Sequence, residues 1–208
     1  MTGLGQKLGT LITQAAGGKL ILGLLLTHIA ALVLGTSLVT SATYVILAVL
    51  CVPALVKLGA LPIAAHLFVF HFGIIGTLTP PVSLAAYAAA GIADTNPIST
   101  GLTTFRMAMP GFIVPYMFVI HPALIGQGTF GQIIIASATA MAGVIGLSSA
   151  MEGYFKVLLK IWERIVIGAG GIMLIYPNTI VSLIGIVLIL GTFAIMTLGG
   201  RFKVQLKQ

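Results

Sequence analysis

The residues best suited to chemistry stand where an apolar run is broken. From His71 to Ala93 the chain reads HFGIIGTLTPPVSLAAYAAAGIA, apolar enough for a lipid bilayer except at Thr77-Leu78-Thr79-Pro80-Pro81. Pro80 and Pro81 carry no N–H, so a helix through them leaves the carbonyls of Gly76 and Thr77 without donors. Unsatisfied carbonyls in hydrocarbon cost several kcal/mol each and persist only where protein or a wet cavity covers them. Beside those oxygens stand the hydroxyls of Thr77, Thr79 and Ser83. Such an oxygen-rich pocket suits a hard cation such as Na⁺. The half-helix that resumes near Val82 aims its positive N-terminal end at the same place, where an anion is favoured. The plainer alternative is a Pro-kinked span whose hydroxyls bond back to their own helix.

A second polar patch, Gly35-Thr36-Ser37-Leu38-Val39-Thr40-Ser41, lies midway between Lys19 and Lys57. One span needs about 20 apolar residues, so two full spans fit poorly between those lysines. Two arms of about 15 residues, about 22 Å each, fit well. The stretch reads as a re-entrant hairpin 20–57 with arms 20–34 and 42–56 and its tip at 35–41; a polar loop between ordinary spans is the alternative. A hairpin paired with a broken helix near the bilayer midplane is the pattern expected of secondary transporters.

These candidates need a membrane scaffold, and the composition supplies one. The 208 residues are 59% apolar and 6% charged, where a soluble domain carries about 25% charge. Mean hydropathy is +1.18. This is an all-α integral membrane protein with several spans. The +7 charge sits singly or in small groups at the ends of apolar segments, as the positive-inside rule expects, so no nucleic-acid partner is implied. The single Cys51 excludes an internal disulfide and reads as a packing residue. The first twenty residues lack the compact apolar core of a cleavable signal.

Along the chain, Leu4, Leu8, Leu11, Ile12 and Ala15 recur at helical spacing, giving an interfacial amphipathic helix within 1–18 that Gly17-Gly18 ends. Pro62 suits a first helical turn, and 62–93 reads as one discontinuous span. Four further spans follow at about 102–124, 129–150, 158–177 and 179–199, the first kinked by Pro110 and Pro115. Residues 129–208 then form an additional C-terminal region. Lys19 and Lys57 share one face, while Arg106, Lys156, Lys160, Arg164, Arg201, Lys203 and Lys207 fall on or near the other. That places the C-terminus in the cytoplasm.

Other polar residues read as structural. His28, His66, His71 and His121 have no carboxylate near them in sequence and suit helix ends or buried contacts. Asp94 reads as a loop residue or the cap of the next helix, and Arg106 as an interfacial anchor. Glu152 and Glu163 are expected to pair with Lys156, Lys160 or Arg164. Gly168, Gly170 and Gly171 suit close packing between helices. No paired carboxylates, nucleophile with base or phosphate loop points to an enzyme, and no cofactor beyond a coupling ion is expected.

At this point the residues resemble a family. Residues 1–128, through THIAALVLGTSLVTSATYVILAVLCVPALVKLG, AHLFVFHFGIIGTLTPPVSLAAYAAAGIA and FRMAMPGFIVPYMFVIHPALI, are similar to the C-terminal half of the large membrane subunit of TRAP (tripartite ATP-independent periplasmic) transporters. The tail from Gly131, with WERIVIGAGGIMLIYP, resembles the extra spans of fused permeases of the TAXI branch. The resemblance implies one repeat of an inverted-repeat, elevator-type carrier in a bacterial or archaeal inner membrane. It implies Na⁺-coupled uptake of an organic acid, such as a C4-dicarboxylate, delivered by an extracytoplasmic binding protein. By the same resemblance Gly35, Thr36, Ser37, Thr40, Gly76, Thr77 and Thr79 share a Na⁺ site. Thr79, Pro80, Pro81, Ser83 and Ser41 then line the substrate cavity. Two departures stand out. The family's hairpin tip often reads Gly-Met-Gly-Leu-Pro-Thr, whereas Ser37 and Val39 replace the second glycine and the proline here. A first repeat is not visible, so the missing permease half becomes an expected partner. A transport-incompetent membrane scaffold is the rival reading, and a channel a weaker third.

Overall fold

The computed structural model describes residues 4–198. The basic tail with Arg201, Lys203 and Lys207 lies outside the described residues, as do the side chains of Leu4, Leu8 and Ser37. The chain divides into two compact units, Met1–Val119 and Ile120–Gln208.

In the first unit, α1 (Leu4–Ala15) ends at Gly17 and Gly18, whose φ angles of 56° and 75° favour glycine. The hairpin follows as α2 (Leu20–Ser37), α3 (Thr40–Leu50) and α4 (Val52–Lys57). Its tip is shorter than expected. Only Leu38 and Val39 are extended, because the helix runs on through Gly35-Thr36-Ser37 and the Leu38 N–H still reaches the Leu34 carbonyl at 3.1 Å. Thr40 and Ser41 open the second arm instead of closing the tip. The arms are correspondingly longer than 15 residues. With 18 residues α2 is about 27 Å long. Thr40–Lys57, also 18 residues, is long and apolar enough to cross a membrane.

The broken helix forms as the prolines demand. α5 (Pro62–Ile75) has Pro62 in its first turn, tightens into a 3-10 turn over Gly76–Leu78, and stops at Thr79-Pro80-Pro81. The Pro80–Pro81 peptide is cis. Helix resumes as α6 (Leu84–Ile92), two residues later than Val82, since Ser83 is left-handed with φ 37°. α7 (Pro97–Ala108) is capped by Asn96, whose Oδ1 accepts from the N–H of Ile98 at 3.0 Å and Ser99 at 3.1 Å. Asp94 is a loop residue with φ 50° and is not the cap. A 3-10 turn at Met109–Phe112 bends the chain at Pro110 before α8 (Val114–Ile120), giving the kink expected of this span. Phe68, Phe72, Leu24 and Leu47 are fully buried where α2 and α3 pack on α5. Ile21, Ile29, Val33, Val45 and Val49 point outward, as lipid-facing positions do.

The second unit holds α9 (Phe130–Glu152), α10 (Ile161–Ile175) and α11 (Thr179–Leu198). α10 is shorter than the expected span 158–177. Tyr154–Phe155 (β1) pairs antiparallel with Val157–Leu158 (β2), turning at Lys156, and withdraws those residues from the helix. Apart from that two-residue ladder the described chain is all-α. Glycine lets the spans touch. A Cβ on Gly171 would meet the Gly143 carbonyl oxygen at 2.7 Å, and one on Gly185 would meet that of Gly170 at 2.7 Å. Arg164 donates to the carbonyls of Ala150 and Met151, both at 2.8 Å, closing the C-terminal end of α9. Glu163 does not simply sit at the membrane edge, for its Oε2 accepts the Lys160 N–H at 2.7 Å and the residue is buried.

Candidate ion and substrate site

Two breaks lie far apart in sequence, and the fold brings them together through backbone. A Cβ built on Gly76 would lie 2.7 Å from Gly35 Cα and 2.8 Å from Gly35 C. One on Gly35 would meet Gly76 Cα at 3.1 Å and the Gly73 carbonyl oxygen at 3.3 Å. The last turn of α2 thus rests directly on the last turn before the Thr-Pro-Pro break. Only glycine at both positions permits this approach. Thr43, one turn into α3, packs with its methyl 3.5 Å from a Cβ placed on Gly73. Its hydroxyl is buried and has no hydrogen-bond partner among the described residues.

Three of the hydroxyls expected at the site, those of Thr36, Thr77 and Thr79, are arranged in a common way. Thr36 Oγ1 donates to the Val33 carbonyl at 2.9 Å, Thr77 Oγ1 to Ile74 at 2.8 Å, and Thr79 Oγ1 to Ile75 at 2.9 Å. Each proton is turned onto the helix's own backbone, and the oxygen lone pairs remain available. All three side chains are half-buried.

The carbonyls differ from expectation. Gly76 is not left without a donor, because the 3-10 turn brings the Thr79 N–H to its oxygen at 3.2 Å. The prolines therefore free the Thr77 carbonyl but not the Gly76 one. The loop is also tied within itself. Thr79 O accepts from Ser83 N–H at 3.2 Å, and Pro81 O accepts from the Tyr87 hydroxyl at 2.7 Å. Ser83 is fully buried, donates to Leu78 O at 3.3 Å, and packs against Gly101. That placement makes Ser83 a support of the loop, while Pro81 and Ser41 are exposed.

The histidines hold the scaffold. His28 on α2 shares a 2.6 Å hydrogen bond with the Tyr116 hydroxyl on α8 and stacks on Phe72 at 3.9 Å. Tyr44 on α3 meets His66 on α5 at 3.1 Å, and His71 meets the Gly111 carbonyl at 3.0 Å. Each arm of the hairpin is thereby fastened by one His–Tyr pair. Cys51 is buried, as a packing residue should be. Sequence reasoning missed Gly73 and Thr43. The Gly73-x-x-Gly76 spacing, which puts two small residues on one helix face, was the signal for the first. A threonine inside an apolar helix gives no comparable sign.

Comparison with known proteins bears on the same region. No curated protein and no solved structure shows a match. The family model for the DctM component of tripartite ATP-independent periplasmic transporters matches residues 1–133, which contain the hairpin, the broken helix and the kinked span. That match covers more than half of the 208 residues, and the chain belongs to the DctM family of TRAP transporter permease components.

Proposed function

We propose that the chain is one repeat of a Na⁺-coupled TRAP permease that takes up an organic acid delivered by an extracytoplasmic binding protein. The observation that carries this reading is the backbone contact of Gly35 with Gly76. It joins the last turn of α2, which carries Thr36, to the turn before the Thr-Pro-Pro break, which carries Thr77; on this reading Thr40 and Thr79 complete the set. Lone pairs of these hydroxyls, with the Thr77 carbonyl, form the kind of oxygen set a hard cation takes. The N-terminal end of α6, which the Ser83 side chain does not cap, favours a carboxylate next to Thr79, Pro80 and Pro81. One Na⁺ moving inward across 100 mV releases about 2.3 kcal/mol, so two or more drive appreciable accumulation. A second permease half completes the substrate cavity, and the tail from Gly131 onward is taken as the extra spans of the TAXI branch. The cytoplasmic C-terminus follows the basic residues.

A scaffold without transport is favoured by one observation: the hydroxyls of Thr36, Thr77 and Thr79 all bond back to backbone carbonyls of the preceding turn, which is also what plain packing produces. Thermal unfolding of the purified chain in detergent separates the two. Na⁺ at 100 times its Kd should stabilise the native state by about 2.7 kcal/mol relative to K⁺. Thr79→Ala should abolish the difference. If neither the chain alone nor the chain co-expressed with a first-repeat half distinguishes Na⁺ from K⁺, the transport reading is wrong.

A further inference from the structure

The second unit contains a cavity of about 550 Å³ that the ion-site residues do not touch. That size lies in the range of small-ligand pockets, about 300–1,000 Å³. Its walls are the first halves of α9 and α11, closed at one end by the segments 121–127 and 176–178. This end is opposite the loop that carries Lys156 and Lys160. The cavity therefore sits where two membrane spans emerge from the hydrocarbon.

Its chemistry is graded along the span. His121, Gln127 and Tyr176 stand at the loop end, and Ile135, Leu183 and Ile186 run down the helices. Among the described residues that line it there is no Asp, Glu, Lys or Arg. Burial holds the His121 imidazole below its ordinary pKa, which keeps it neutral at pH 7. Asn178 and Gln132 turn their carbonyl oxygens onto the N–H groups that open α11 and α9, and Ser182 donates to the Tyr176 carbonyl. Among the described residues the His121 ring and the Tyr176 hydroxyl have no protein partner, which leaves their donors for a ligand.

An uncharged set of donors above an apolar wall, at the depth of the hydrocarbon boundary, matches the ester region of a bilayer lipid. We propose that this cavity binds one membrane glycerolipid, with its ester carbonyls hydrogen-bonded by His121, Gln127 and Tyr176 and one acyl chain laid against Ile135, Leu183 and Ile186. With no cation in the wall, the site reads the ester region and ignores the charge of the head group.

Native mass spectrometry of the full chain, titrated in detergent with phosphatidylglycerol or phosphatidylethanolamine of identical acyl chains, tests this. One lipid should stay bound at activation that strips all others, with affinities for the two lipids within threefold. Leu183→Trp, at a site 56% exposed where no core is disturbed, should remove that lipid. His121→Ala with Tyr176→Phe should weaken it at least fivefold. Ile145→Trp, 52% exposed on α9 outside the cavity, should leave it in place. Retention of the lipid by Leu183→Trp, equal loss in Ile145→Trp, or a tenfold preference for either head group would overturn the proposal.

Discussion

Gly76→Ala tests the contact on which the site rests. The new methyl would lie 2.7 Å from Gly35 Cα, 2.8 Å from Gly35 C and 3.2 Å from Gly35 O. All three are backbone atoms, so no side chain can rotate away and the end of α2 must shift. Overpacking of this kind costs about 1–3 kcal/mol. Removing a glycine from a turn with φ −52° returns at most about 1 kcal/mol. The net expectation is a loss of about 1–2 kcal/mol, or about 2–8 °C in melting temperature for a chain of this size. Gly91→Ala on α6 is the control. A methyl there meets nothing within 4 Å, so the propensity gain of about 0.5–1 kcal/mol should appear alone. Melting followed by circular dichroism in one detergent compares the two. If Gly76→Ala melts at or above the wild-type temperature, the two breaks are not in backbone contact.

Asn96→Ala removes the acceptor for two N–H groups of α7 and should cost about 0.5–2 kcal/mol in the same melt, while Asp94→Ala, which caps nothing, should cost less. Tyr116→Phe deletes the partner of His28 and should lower stability by about 0.5–1.5 kcal/mol, with amide exchange accelerated in α2 above α9. Arg164→Ala exposes the last carbonyls of α9 and should cost about 2 kcal/mol; Arg164→Lys, unable to reach two carbonyls with one planar fork, should recover only part of it.

Much of this fold was legible because lipid punishes irregular backbone. Two adjacent prolines in an apolar run can only mark a break, and α5 stops where they require. Pro110 marked the kink between α7 and α8 for the same reason. The hairpin tip was less legible. A cluster of hydroxyls reads as a loop, yet Thr36 satisfies its hydroxyl on the Val33 carbonyl and keeps the helix going. The short form of α10 was hidden because Val157 and Leu158 are as apolar as any helix residue, and only their pairing with Tyr154 and Phe155 removes them. At the candidate site the residue types could be chosen from sequence, but not their direction. The resemblance points Ser83 toward the substrate, whereas it is buried beneath the loop.

That inward Ser83 sharpens what the broken helix can do. Its hydroxyl and N–H both tie back to the Leu78–Thr79 turn, and Tyr87 ties Pro81 to α6. The loop is consequently a stiff unit, with its shape fixed from below and its Thr77 carbonyl left over. On the other side Gly35 meets Gly76 without any side chain between them. A displacement of the hairpin tip must therefore be transmitted to the loop, because close-packed backbone has nothing soft to absorb it. A cation seated among Thr36, Thr40, Thr77 and Thr79 would hold both breaks at once, and its departure would release both. On the proposed Na⁺ reading, coupling between ion and hairpin would need no separate lever beyond the two glycines placed where each helix ends.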